Sequence, residues 1–380
     1  MERDSNMITK TWQEEAMEAW LNAKARGTIK APTGTGKSYL AILGYRHLAV
    51  PMVVIVPLIN LKQQWEHDLI LNNIKADVVV INTARKNPQF LLNYKFIVLD
   101  EIHHYASEES RVIFDYMTHA KVMGLSATPE RQDEEHVIFE SIAPIVYDYH
   151  FLHALQNKDI SKFKLINIPV ELGNRDRLDR VTQAINRDLK LFNFDLIQVH
   201  EALSFGTWQS KRTAGDLMRR IQDRKKMLID CEEKNNIAIE IVFRHENEKV
   251  MIFTEIINSA ITIFKLLAQK NYKGRLCIYH SDMKKKDREA QLQHFKEAES
   301  GVLISAKALD EGVNIPSANV GIIVGGSSVK RQFIQRLGRL LRQQEGKEAV
   351  LYQLFINQSK DEQWMNKRST VIRQYLDIIQ

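Results

Sequence analysis

Four short runs of this chain carry residue types suited to work on a phosphate chain. They are Ala31-Pro-Thr-Gly-Thr-Gly-Lys-Ser38, Asp100-Glu-Ile-His103, Ser126-Ala-Thr128 and Gln335-Arg-Leu-Gly-Arg339, in that order. The first offers a glycine-rich cradle, the second two adjacent carboxylates, and the last arginines from far downstream. Together they describe a machine that binds a nucleoside triphosphate between two halves and closes on it.

The elements around these runs decide whether they can work. Gly27-Thr-Ile-Lys-Ala-Pro32 is partly β-branched, and Tyr39-Leu-Ala-Ile-Leu-Gly-Tyr-Arg-His-Leu48 has the apolar content of a buried helix. Strand, glycine loop and helix form the context that a phosphate loop requires. Glycines let successive backbone N–H groups turn toward a polyphosphate, and the helix N-terminus adds partial positive charge. Lys37 can then reach the terminal phosphates, and Ser38 can hold Mg²⁺. Thr33, Gly34, Thr35 and Gly36 complete the cradle. Ala31 stands where the strict pattern has glycine, and the plain alternative is a glycine-rich turn before a core helix.

Lys95-Phe-Ile-Val-Leu99 is an apolar run that ends in Asp100-Glu101. Such a run fits a central parallel strand whose carboxyl end faces a ligand crevice. Asp100 would hold Mg²⁺, and Glu101 would orient and deprotonate an attacking water. Solvated acids at a strand end are the simpler reading of this pair taken alone. His103 and His104 lack a Cys/His partner at ligand spacing, so a polar bridge to the second half is expected of them rather than a metal.

Composition bounds the rest. With 380 residues the chain has room for two or three domains, and its 44% hydrophobic content can fill cores. A net charge of +6 tilts it toward an anionic polymer. Cys231 and Cys277 suit a reducing compartment, and neither a disulfide framework nor a zinc site. No apolar stretch reaches membrane-span length, and the first residues do not resemble a signal peptide, so a cytoplasmic location is expected.

Residues 1 to about 150 alternate apolar runs with helical stretches, the runs being Met52–Val56, Asp77–Ile81, Phe96–Leu99 and Lys121–Leu125. From about 248 the pattern repeats with Val250–Phe253, Arg275–Tyr279, Gly301–Ile304 and Val320–Val324. Alternation of this kind predicts doubly wound parallel sheets. The middle, about 174 to 246, reads as a helical lobe without proline. In Asp216–Ile229, Leu217, Ile221, Met227 and Leu228 form an apolar face, while Arg219, Arg220, Arg224, Lys225 and Lys226 are basic. That basic side suits a phosphodiester backbone, or equally a solvated face of ion pairs. The expected division is therefore 1–173, 174–246, 247–357 and a helical extension 358–380. In the Lys330–Arg342 stretch, Arg336, Arg339 and Arg342 share one helical face, and their rigid charged forks suit a transferring phosphoryl group.

With these residues in place the chain resembles the superfamily 2 helicases and translocases, most closely the XPB, UvsW and type I/III restriction-motor branch. The resemblance runs from the N-terminal residues to about Phe355, apart from the helical middle. Ala31–Ser38 resembles motif I, Ile55–Leu58 motif Ia, Val80–Thr83 motif Ib, and Asp100–His103 a DExH-type motif II. Gly124–Pro129 resembles motif III, Asp310–Pro316 motif V, and Gln335–Arg342 motif VI. The family implies two RecA-like α/β domains with ATP and Mg²⁺ in the cleft between them. It implies that Gln13 reads adenine and that Asp310 and Gly312 lie at the nucleotide. Gln335 would face the γ-phosphate, with Arg339 and Arg342 as the finger pair. Ser126 and Thr128 would couple hydrolysis to domain movement. Pro57, Asn82 and Thr83 would touch nucleic acid, with Arg219, Arg220 and Lys225 as further candidates from the lobe. Asn314 stands where many members have Asp. The branch favours DNA over RNA, and implies 3′ to 5′ movement by an ATP-dependent helicase or translocase. An RNA-directed motor, or an ATP-gated clamp that unwinds nothing, are the alternatives.

Overall fold

The computed structural model describes residues 9–127, 137–306, 318–326 and 348–376. Apolar, β-branched runs form its strands: β1 (Arg26–Lys30), β2 (Met52–Val56), β3 (Asp77–Val80), β4 (Phe96–Asp100), β5 (Lys121–Ser126) and β6 (Ile145–Asp148). They make one sheet in the order β3-β2-β4-β5-β1-β6, and its ladders are parallel. Side chains alternate across the pleat, so each central strand feeds two cores. Val54, Val56, Phe96, Val98 and Met123 face the helices Thr11–Asn22 and Ser38–Leu48. Val53, Ile55, Ile97, Leu99 and Val122 face the opposite side with Ile81, Tyr105 and Ile113. Burial on both faces is what the unbroken apolar runs anticipate.

A second parallel sheet repeats the plan with β7 (Lys162–Val170), β8 (Lys249–Thr254), β9 (Arg275–His280), β10 (Gly301–Ala306), β11 (Val320–Ile323) and β12 (Glu348–Ile356). Its order is β7-β12-β11-β8-β10-β9. Both sheets bear out the expected α/β class. One boundary moves. Residues 162–170 pair with β12 over their whole length, although the sequence reading counts them with the first unit. Pro169 is tolerated because β7 lies at an edge, where a missing N–H leaves no ladder bond broken.

The middle is helical as expected. Helices Arg175–Lys190, Leu196–Phe205 and Trp208–Ile229 start on side-chain caps from Asn174, Asp195 and Thr207. Ile185, Phe192, Val199, Ala214 and Leu217 form a small core of their own. The long helix leaves that core at Leu217 and enters the second sheet's core at Leu228, so it belongs to both. Helix Glu232–Arg244 packs Ala238, Ile239 and Val242 against Val250 and Ile252. It covers the second sheet rather than the lobe. Helix Lys360–Leu376 docks on β12 through buried polar groups. Arg368 donates to Gln353 Oε1 at 3.1 Å and to the Gly326 carbonyl at 2.5 Å.

Candidate active site

Parallel strands deliver their carboxyl ends to one edge, and register decides which residues meet there. Asp100 on β4 pairs with Leu125 on β5, and Ser126 pairs with Lys30 on β1. The Ala31 N–H then donates to the Ser126 carbonyl at 3.1 Å. The phosphate loop, the acidic pair and the Ser126 run thus leave three adjacent strands side by side. This is the crevice that an open α/β sheet offers a ligand.

The loop itself is bent by Gly34 at φ +92° and Gly36 at φ +96°, values that side-chain-bearing residues rarely adopt. Thr35 Oγ1 donates to the Pro32 carbonyl at 2.8 Å, and Ser38 opens the helix Ser38–Leu48. Lys37 is buried, its ammonium donating to the carbonyls of Ala31 at 2.8 Å and Pro32 at 3.3 Å. Burial pulls its pKa below the ordinary lysine value, and the nearby Glu101 and Asp100 charges push it back up. Thr33 Oγ1 is buried with no protein partner. A buried cation, a buried spare hydroxyl and a helix N-terminus form a donor set that fits a polyphosphate.

Gln13 is buried and donates from Nε2 to the Gly36 carbonyl at 3.1 Å. Its Oε1 accepts the Lys10 N–H at 3.1 Å, which caps the first helix. Gln13 therefore sits against the loop. Lys10 was not anticipated. Its ammonium reaches Asp159 at 2.8 Å and the Thr35 carbonyl at 3.5 Å.

Asp100 is buried, with Oδ2 accepting the Trp65 indole N–H at 2.8 Å and Oδ1 accepting the Glu101 N–H at 3.1 Å. Burial raises its pKa, while the Trp65 bond, the Lys37 charge and the Glu101 N–H oppose that rise. Glu101 stands in the left-handed region at φ +48°, an uncommon place for this residue type. Its side chain is 23% exposed, beside buried Asp100. Ser38 and Asp100 supply oxygen ligands of the kind Mg²⁺ takes.

The two histidines lie beside the acidic pair. His103 is buried, its Nδ1 lying 3.0 Å from Ser126 Oγ and 3.5 Å from Glu101 Oε2, while the His104 ring lies tilted beside it with centroids 4.3 Å apart. Expected residues Thr128, Asp310, Gly312, Gln335, Arg339 and Arg342 lie outside the described residues.

The nucleic-acid candidates divide. Pro57 follows β2, and Asn82 and Thr83 start the helix after β3. All three lie at the same carboxyl edge, on its β3-β2 flank, with Asn82 and Thr83 exposed. In the lobe, Arg220 pairs with buried Asp188, Arg219 lies 3.3 Å from Asp216, and Lys225 lies 2.6 Å from buried Glu255. These charges have carboxylate partners. The lobe also exposes aromatic side chains: Phe205 at 90% and Trp208 at 75%, with Arg212 5.5 Å over the Trp208 ring. The Phe205-Gly-Thr-Trp208 turn was the signal available in the sequence.

Over 94% of its length the chain is 30% identical to a DNA 3'-5' translocase XPB2 of Sulfurisphaera tokodaii, covering 83% of that protein. The chain belongs to the XPB-like family of superfamily 2 helicases. Two family models agree with this placement. The type III restriction enzyme res subunit matches residues 6–89 and 71–131, and the helicase conserved C-terminal domain matches 233–344. Another relative is a putative helicase 22 of the Sulfolobus islandicus filamentous virus, 23% identical over 93% of this chain but with only 66% of its own length matched. The Pyrococcus furiosus Hef helicase domain shares the fold, with a TM-score of 0.60 at 16% identity, covering 94% of this chain and 97% of that one.

Proposed function

We propose that this XPB-like protein is an ATP-dependent DNA translocase that hydrolyses ATP at the β4-β5-β1 edge and moves along DNA held near the β3-β2 flank. The observation that carries this reading is the meeting of Lys37, Asp100, Glu101 and Ser126 on three adjacent strand ends. Lys37 and the loop N–H groups would hold the β- and γ-phosphates, and Gln13 the adenine side. Ser38 and Asp100 would hold Mg²⁺, which when bound neutralises phosphate charge. Glu101 would accept a proton from the attacking water. Gln335, Arg339 and Arg342 would complete the site from the second sheet's domain, so that closure requires nucleotide. Thr128 would act with Ser126 in coupling, and Asp310 and Gly312 would line the second wall.

Grip on DNA through Pro57, Asn82 and Thr83 would be mostly to backbone, hence blind to sequence and weakened by salt. The lobe's Phe205 and Trp208 suit stacking on bases, a sequence-tolerant contact. The 3'-5' polarity in the name of the Sulfurisphaera tokodaii relative is the direction proposed for this chain. Among the described residues no helix is long and apolar enough to cross a membrane, and a reducing interior supplied with ATP and DNA is the proposed location.

The test is steady-state ATP hydrolysis without nucleic acid, with single- and double-stranded DNA, and with RNA, beside Glu101→Gln. Stimulation by DNA that disappears in the variant is expected. Stimulation by RNA alone would replace DNA with RNA, and activity indifferent to any nucleic acid would overturn the motor reading.

A further inference from the structure

We propose that Trp65 is a positioning residue for the metal-binding carboxylate of Asp100, holding the plane of that carboxylate by its indole N–H. The inference rests on the proposed nucleotide site and adds a residue that no motif assigns to it. Trp65 is buried in the helix Ile59–Leu71 and reaches Asp100 across 35 residues of sequence.

The geometry gives each oxygen of Asp100 one donor. Oδ1 takes the Glu101 N–H at 3.1 Å and Oδ2 takes the indole at 2.8 Å. A carboxylate held only by the neighbouring backbone can still turn about its Cβ–Cγ bond. A second bond, at the other oxygen, stops that rotation and leaves the remaining lone pairs for a metal or its water. Indole is a donor only, so the contact cannot reverse its polarity as a hydroxyl or an amide can. Outer donors of this kind orient metal ligands, and their loss usually weakens metal binding about 10- to 100-fold.

The simpler account is a core tryptophan whose N–H merely found an acceptor, as buried indoles usually do. Two other buried tryptophans argue against it. Trp20 donates to the Val122 backbone carbonyl at 2.9 Å, and Trp12 Nε1 is buried with no partner. This protein therefore tolerates an unpaired indole and elsewhere uses a neutral acceptor. Only Trp65, of these three, is spent on a carboxylate at the candidate site. Its helix also begins two residues after Pro57, at the flank proposed to hold DNA. A shift of that helix would reach Asp100 through one hydrogen bond.

The experiment titrates Mn²⁺ into the full chain with a non-hydrolysable ATP analogue, following free Mn²⁺ by electron paramagnetic resonance. Trp65→Phe keeps a ring and removes the donor. Replacement of Trp65 by 3-benzothienylalanine keeps the bicyclic shape without the N–H, should the phenylalanine variant fail to fold. Trp20→Phe serves as the control for losing a buried indole. The expected result is Mn²⁺ affinity lowered about tenfold or more in either Trp65 variant, with metal-free analogue binding unchanged and Trp20→Phe near wild type. Wild-type Mn²⁺ affinity in a folded Trp65 variant would overturn the inference while leaving the nucleotide site standing. Failure of the wild-type chain to bind the analogue at all would overturn both.

Discussion

His103 Nδ1 lies 3.0 Å from Ser126 Oγ, with both side chains fully buried. The bond joins the segment after β4 to the end of β5, and the same nitrogen lies 3.5 Å from the Glu101 carboxylate. A single imidazole therefore touches both the residue proposed as base and the residue proposed as coupler. A buried polar contact of this kind holds one arrangement, because either partner left alone is costly.

Substitution of these two residues should show that link. His103→Ala and Ser126→Ala are each expected to lower DNA-stimulated hydrolysis about fivefold, and the double variant to fall little further. The coupling, about 1 kcal/mol, is read from a double-mutant cycle on stimulated turnover. Strictly additive losses would show that the contact carries no coupling.

Lys37→Ala should remove the buried ammonium that the phosphate loop surrounds. Hydrolysis is expected to drop by about 100-fold or more, the scale typical of losing one charged or hydrogen-bonding group that stabilises a transition state. Circular dichroism should show a folded chain. Retained turnover would move the catalytic cation elsewhere.

The second sheet offers a test of stability. Lys234 and Asp361 are fully buried and 2.5 Å apart, and Asp361 also accepts the Ile356 N–H at 2.9 Å. Lys234 donates in addition to the Leu228 carbonyl at 2.8 Å. Breaking this pair from one side leaves a charge without its counter-ion, so Lys234→Met or Asp361→Leu should each cost about 3–5 kcal/mol. The double variant should cost less than the worse single change. Chemical denaturation of the three variants would measure this, and a double variant worse than both singles would contradict it.

Gly124→Ala probes how closely the strand ends pack. A methyl at this β5 position would meet Thr28 Oγ1 at 2.5 Å and Ile102 Cδ1 at 2.6 Å. Thr28 is held by its bond to the Ala143 carbonyl at 2.6 Å and cannot easily turn away. A loss of about 1–3 kcal/mol is expected, the usual cost of overpacking. An unchanged melting temperature would mean that the neighbours yield.

Much of the fold was legible because its central strands announce themselves. Met52–Val56 and Phe96–Leu99 are unbroken apolar runs, and burial on both faces of a parallel sheet demands them. Of the three strands that escaped notice, β12 (Glu348–Ile356) is interior and the other two lie at edges. Ile145–Asp148 borders the first sheet, while Lys162–Val170 mixes lysines with a proline at the border of the second. Edge positions tolerate such residues, so the pattern fades there. The basic helix was read correctly as helix, yet the partners of Arg220 and Lys225 come from other elements that helical spacing does not reveal.

The sequence by itself determined the chemistry on offer: a glycine loop with Lys37 and Ser38, the adjacent acids Asp100 and Glu101, and Ser126 at a strand end. Local spacing suffices for these, because each is placed by the strand or turn that contains it. Tertiary structure alone decided what stands next to them. The order β4-β5-β1 brings three distant runs together, Trp65 reaches Asp100 from another helix, and His103 meets Ser126 across the strand ends. Such contacts depend on which strands neighbour one another and on side-chain direction across a packed core, and neither property is written in the spacing along the chain.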